Sequence, residues 1–126
     1  MIFDTDILIW VQRRNEKAAL LLDQVEERSI SVQTFMELLQ GATNKQQLVF
    51  FKSFLTDYRF SVLSFTENIG HRAMIYMEQY SLSHGLTAGD AIIAATAAEN
   101  DLVLVSGNEK HFRAIPDIKL KIFRPT

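Results

Sequence analysis

The chain has 126 residues, 48% of them apolar, which is the span of one domain with a single sizeable core. It contains no cysteine, so disulfides, thiolate zinc sites and cysteine nucleophiles are excluded and any metal has to be held by oxygen or imidazole. A formal net charge of -2 excludes a general attraction for polyanions, and contact with nucleic acid would have to come from local groups such as Arg13, Arg14 and Lys17 or the basic residues between Lys110 and Arg124.

The apolar run Met1 to Phe3 stops at Asp4, and Ile7, Leu8, Trp10 and Val11 then recur at helical spacing, as a buried strand feeding a helix would read. Ala18, Ala19, Leu21, Leu22 and Val25 continue the helical period over 16–28, and 29–32 has the pattern of a short strand. Thr34 with Glu37 three positions later matches a capping box, with Gly41 as the stop of that helix. A helix over 44–55, a strand over 60–63 and a long helix over 67–84 follow. An alanine-rich helix over 90–100 has Thr87 as its cap, and a buried strand over 102–105 comes next. A turn at Gly107, a short helical segment with Phe112 and a last strand around 119–123 complete the chain. Strands alternating with helices predict an α/β fold, a largely parallel sheet with helices on both faces, in one domain over 1–126. No apolar run reaches the roughly 20 residues of a membrane helix and no signal peptide opens the chain, so a cytoplasmic protein with no membrane contact is expected.

In an open parallel sheet, ligands bind at the carboxyl ends of the strands, so the placement of acids matters more than their number. Asp4 ends the first strand, Asp6 begins the helix after it, Glu37 falls in the first turn after the second strand, and Asp90 opens the alanine-rich helix. Carboxylates sharing one crevice repel each other unless a cation neutralises them, and oxygen donors without cysteine select Mg²⁺ or Mn²⁺. Such an ion orients a phosphodiester, lowers the pKa of a bound water and stabilises charge in an in-line displacement.

Each acid also has a plainer reading. Glu37 and Asp90 both stand where a capping box puts its acid, bonding a backbone N–H and favouring the helix dipole. Asp4 fits that reading less well, because an acid directly after a buried strand is costly without a partner. His71, His84 and His111 read as structural or solvated, with His111 in a surface turn beside Phe112. Phe50, Phe51, Phe54 and Leu55 read as core or interface.

Four stretches in order resemble the PIN-domain ribonuclease family and, within it, VapC-type toxins. Asp4-Thr5-Asp6-Ile7-Leu8-Ile9 is similar to the opening motif, and Phe35-Met36-Glu37-Leu38-Leu39-Gln40-Gly41 to the second. Asp90-Ala91-Ile92-Ile93-Ala94-Ala95-Thr96-Ala97 resembles the third, and the segment from Leu104 through Ser106 and Asn108 to Phe112 the last. The resemblance implies a PIN-like fold and Mg²⁺- or Mn²⁺-dependent cleavage of RNA, with Asp4, Glu37 and Asp90 binding metal. It implies Thr5, Asp6 and Ser106 in support, Asn108 where fuller members have a fourth acid, a homodimer, and a small antitoxin whose tail inserts an Arg or Lys among the acids.

Three other readings compete. Asp4-x-Asp6 has the spacing of the haloacid dehalogenase-type phosphatases, but Leu8 stands where they carry Thr or Val. A receiver domain lacks its phosphorylated Asp at the end of a central strand. A non-catalytic scaffold that binds RNA or protein would not need mutually repelling carboxylates.

Overall fold

Adjacent residues of the first strand, β1 (Ile2–Phe3), are both fully buried, yet they enter different cores. Side chains of a strand alternate between faces, so Ile2 joins the cluster of Ala91, Ala94, Leu104 and Phe112, while Phe3 joins that of Leu8, Leu22, Ile30 and Val105. A sheet buried on both faces follows, and in the computed structural model, which describes residues 1–126, helices cover each side.

After β1 come α1 (Thr5–Gln12), α2 (Glu16–Gln24), β2 (Ser29–Ser31), α3 (Val32–Gly41), α4 (Lys45–Asp57) and β3 (Ser61–Leu63). The chain continues with α5 (Glu67–His84), α6 (Ala88–Glu99), β4 (Val103–Ser106), α7 (Glu109–Phe112) and β5 (Lys119–Ile122). The five strands lie in the order β3-β2-β1-β4-β5 and every pair is parallel, the arrangement expected from the strand-helix alternation. The chain builds outward from β1 through β2 to β3, then crosses to the other side of β1 to add β4 and β5. This reversal leaves a crevice beyond the carboxyl ends of β1 and β4, where ligands sit in such sheets.

Ala91, Ile93, Ala94, Ala95 and Ala97 of α6 are fully buried, and the small side chains let this helix lie between α5 and the sheet. Arg72 of α5 ties that layer together, pairing with Glu99 at the end of α6 and, 2.7 Å away, with Asp117 ahead of β5. No helix is long and apolar enough to cross a membrane.

Local corrections have physical causes. The cap of α3 is Ser31, whose side chain accepts from Thr34 N, so the helix starts at Val32 and Glu37 lies in its second turn rather than its first. Gly41 is the last residue of α3 and does not adopt a left-handed turn; the glycine that does is Gly85, with φ 65°, closing α5. The helix expected over 16–28 ends at Gln24, and the Arg28 guanidinium bonds the carbonyls of Leu22 and Tyr58. In α4, Phe51 and Leu55 are core, Phe50 is 40% exposed, and Phe54 stacks between Phe50 and Tyr58.

Candidate acidic crevice

β1 delivers Asp4 to the crevice with 5% of its surface exposed. One carboxylate oxygen accepts from Thr5 N and the other from the Ser106 hydroxyl, each at 2.7 Å. Ser106, at the end of β4, in turn accepts from Asn108 N at 2.9 Å, so its single hydroxyl proton is committed to Asp4. Burial, followed by the charge of Asp6, pushes the Asp4 carboxyl up to about 7, against the bond from Ser106.

Asp6 turns its Oδ2 to Gly107 N at 2.9 Å, tying the start of α1 to the turn after β4. A Cβ at position 107 would lie 2.9 Å from that oxygen and 3.3 Å from the Phe123 carbonyl, so the close approach requires glycine. The other oxygen, Oδ1, is buried without a hydrogen-bond partner. Burial raises the Asp6 pKa, the Gly107 N–H opposes it, and the charge of Asp90 adds to the rise. Asp4, Asp6 and Asp90 therefore share one electrostatic neighbourhood.

Glu37 reaches the same edge from α3. Its Oε1 accepts from the Thr5 hydroxyl at 2.5 Å and its Oε2 from Gln33 Nε2 at 3.0 Å. A Cβ at Gly89, in the first turn of α6, would sit 2.7 Å from Glu37 Oε2, so this glycine admits the carboxylate against the helix that carries Asp90. Asp90 N bonds the capping hydroxyl of Thr87, but the Asp90 carboxylate turns away from the cap to His111 Nδ1, 2.7 Å distant. Asn108 caps α7 by position only, its amide lying 3.0 Å from the same ring nitrogen.

The fold thus links Asp4, Thr5, Asp6, Glu37, Asp90, Ser106 and Asn108 at one end of the sheet through hydrogen bonds involving Gly107 and His111. His111 was read from the sequence as a surface-turn residue; its side chain is 25% exposed and engaged with Asp90. Gln33 and Gly89 were also missed, and Gly107, expected at a turn, was not linked to Asp6. The three-residue interval from Asn108 to His111, one helical turn, was the only local signal for the ring.

The donor set fits a hard divalent cation: oxygen donors only, a buried Asp4 whose pKa is raised by burial and by the nearby charges of Asp6 and Asp90, and a buried Asp6 oxygen with no partner. As the side chains stand, no three Asp, Glu or His groups meet at one point. Beside Asn108 an open groove is lined by His84, Lys110, Arg113 and Arg124, with Arg113 and Arg124 both paired to Glu109. A neighbouring hollow shares Gly107, Asn108 and Arg124 and extends past Asp6 to Trp10.

Among solved structures, a chain of a toxin-antitoxin complex from Klebsiella pneumoniae is 31% identical, with 99% of this chain and 97% of that one covered and a TM-score of 0.76. VapBC-1 from nontypeable Haemophilus influenzae is 26% identical over 97% of this chain and 98% of that one, with a TM-score of 0.78. DNA-bound VapBC from Salmonella typhimurium, 22% identical over 96% of each chain, shares the fold with a TM-score of 0.82. No match is found among curated protein sequences. Residues 1–118 match the PIN domain family, and with the acids placed at the switch point of a parallel sheet, the chain belongs to that family.

Proposed function

We propose that this chain is a Mg²⁺-dependent endoribonuclease, with Mn²⁺ able to substitute, that acts as the toxin of a toxin-antitoxin pair. The observation that carries the reading is the buried acidic group itself: Asp4 held up to about 7 beside Asp6, whose Oδ1 has no partner. A fold that serves only as a scaffold gains nothing from burying Asp4 and Asp6 side by side, whereas a cation-dependent hydrolase needs such acids. PIN membership also removes the phosphatase and receiver readings.

In this reading Asp4, Glu37 and Asp90 hold the cation directly or through water. When bound, the ion supplies neutralising charge and a water of lowered pKa. Ser106 fixes the Asp4 carboxylate from one side and the Thr5 amide from the other, so its rotamer is set before any ligand arrives. Thr5 does the same for Glu37 through its hydroxyl. Asp6 holds the Gly107 turn against α1, which keeps Asn108 at the rim where an amide can meet a phosphate oxygen. The groove with Lys110, Arg113 and Arg124 offers positive charge to an RNA backbone despite the net charge of -2.

The partner reading is supported by the Klebsiella relative, which was solved as a toxin-antitoxin complex. An antitoxin tail placing Arg or Lys beside Asp4, Glu37 and Asp90 would neutralise the acids and compete with the cation. A homodimer is supported by the exposed apolar side chains, Phe50 on α4 together with Phe65, Met74 and Ile75 at 40–61% exposure.

The test is cleavage of a mixed oligoribonucleotide pool by purified protein with Mg²⁺, with Mn²⁺ and with chelator, alongside Asp90→Asn. Cation-dependent cleavage by the wild type that the variant lacks supports the reading. RNA binding without cleavage under all three conditions would leave a scaffold.

A further inference from the structure

Asp90 sits in the first turn of α6, where a carboxylate normally folds back to bond the free amides of its own helix. Here it does not. Its Oδ2 lies 2.7 Å from His111 Nδ1, 21 positions along the chain, and the two side chains are 15% and 25% exposed. A carboxylate only accepts, so Nδ1 carries the proton and donates it to Asp90. That nitrogen then has nothing left with which to accept from Asn108, 3.0 Å away, so the Asn108 amide turns its oxygen to the ring and shares the same proton. Its NH₂ group is left for other partners.

The ring is held from the far side too. Phe112, the next residue, is fully buried in the core that contains α6, which fixes the backbone of α7 against that helix. The other ring nitrogen, Nε2, is 3.9 Å from where a Cβ of Gly85 would lie, beside the left-handed turn that ends α5. The packing of α7 on α6 and the carboxylate of Asp90 thus set the position of one N–H.

We propose that His111 is a positioning residue for Asp90: its Nδ1–H holds the carboxylate out of the α6 cap and leaves Oδ1 toward the acidic crevice for a divalent cation. The inference rests on the cation-binding reading of the crevice. Hydrogen-bond partners that orient a ligating side chain typically contribute about 10- to 100-fold to metal affinity.

Titration calorimetry of the full-length protein with Mn²⁺, in the absence of RNA, tests it with wild type, His111→Ala, His111→Asn and Asp90→Asn. His111→Ala is expected to weaken Mn²⁺ by about 10- to 100-fold. His111→Asn, whose amide N–H can stand near the place of Nδ1–H, is expected to recover most of that loss. His111→Ala binding as tightly as wild type or more tightly overturns the proposal, as does a folded His111→Asn variant no better than His111→Ala. A wild type that binds no Mn²⁺ overturns the underlying function as well. Binding that Asp90→Asn loses and His111→Ala keeps overturns the positioning role alone.

Discussion

The hydroxyl of Thr5 lies 2.5 Å from Glu37 Oε1 and 3.1 Å from the hydroxyl of Thr34. Thr5 has one proton and the carboxylate can only accept, so Thr5 donates to Glu37 and the fully buried Thr34 donates to Thr5. A relay thus links the start of α1 to α3. Thr5→Val keeps the shape and removes both bonds. It should cost about 2 kcal/mol in chemical denaturation, the order of a charged hydrogen bond, and reduce RNA cleavage, while Thr5→Ser retains both. Unchanged stability and cleavage in the valine variant would show that the relay does nothing.

Gly89→Ala separates stability from the site. An added methyl meets only the ends of the Glu37 and Gln33 side chains, at 2.7 and 3.1 Å, so these swing aside rather than the backbone. Alanine favours a helix over glycine by about 1 kcal/mol. The variant is expected to melt at or above the wild-type temperature and to lose most cleavage. Full activity would mean that Glu37 need not lie against α6.

The acidic group also sets a pH dependence. Asp4 titrates near 7 in the folded protein against an ordinary 3.8, so between those values the folded state holds a proton that the unfolded chain has lost. The stabilisation from this group is complete below pH 3.8 and is lost as pH rises to 7, with a slope of at most about 1.4 kcal/mol per pH unit. Denaturation of the cation-free protein at pH 5 and pH 7.5 should show this fall, and Asp4→Asn should flatten it. A wild type that gains stability over the same interval, with no difference in the variant, would contradict the placement of Asp4.

For the groove beside Asn108, the readout is salt. Single-stranded binding loses about 0.7 in the log-log salt slope for each phosphate contact removed. Lys110→Ala with Arg113→Ala should therefore lower the slope by about 1.4, measured by fluorescence anisotropy of a labelled oligoribonucleotide in chelator. The same slope for variant and wild type would place the RNA elsewhere.

What could be read beforehand depended on how local the cause was. Asp4 and Glu37 were legible because each follows a strand that periodicity reveals, and Asp90 because it opens an alanine-rich helix behind the capping Thr87. Ser31 and Thr34 are both capping types three positions apart, and only the end of β2 decides that Ser31 takes the role. Residues 25–28 keep a helical look while Arg28 reaches across to Tyr58, 30 positions away. His111 was opaque for the same reason, since its partner belongs to another helix. Gly41 and Gly85 look alike as stops, but only Gly85 has the positive φ.

The bond from Ser106 to Asp4 closes a span of 102 positions, and the bond from Gly107 to Asp6 one of 101. A nascent chain on the ribosome, with its first three motifs already made, therefore has no assembled crevice until the fourth strand has cleared the exit tunnel. At common synthesis rates, reaching Ser106 from the first residue takes on the order of ten seconds. Fragments released by stalled translation before Ser106 therefore lack both bonds that fix Asp4 and Asp6 at the far end of the chain.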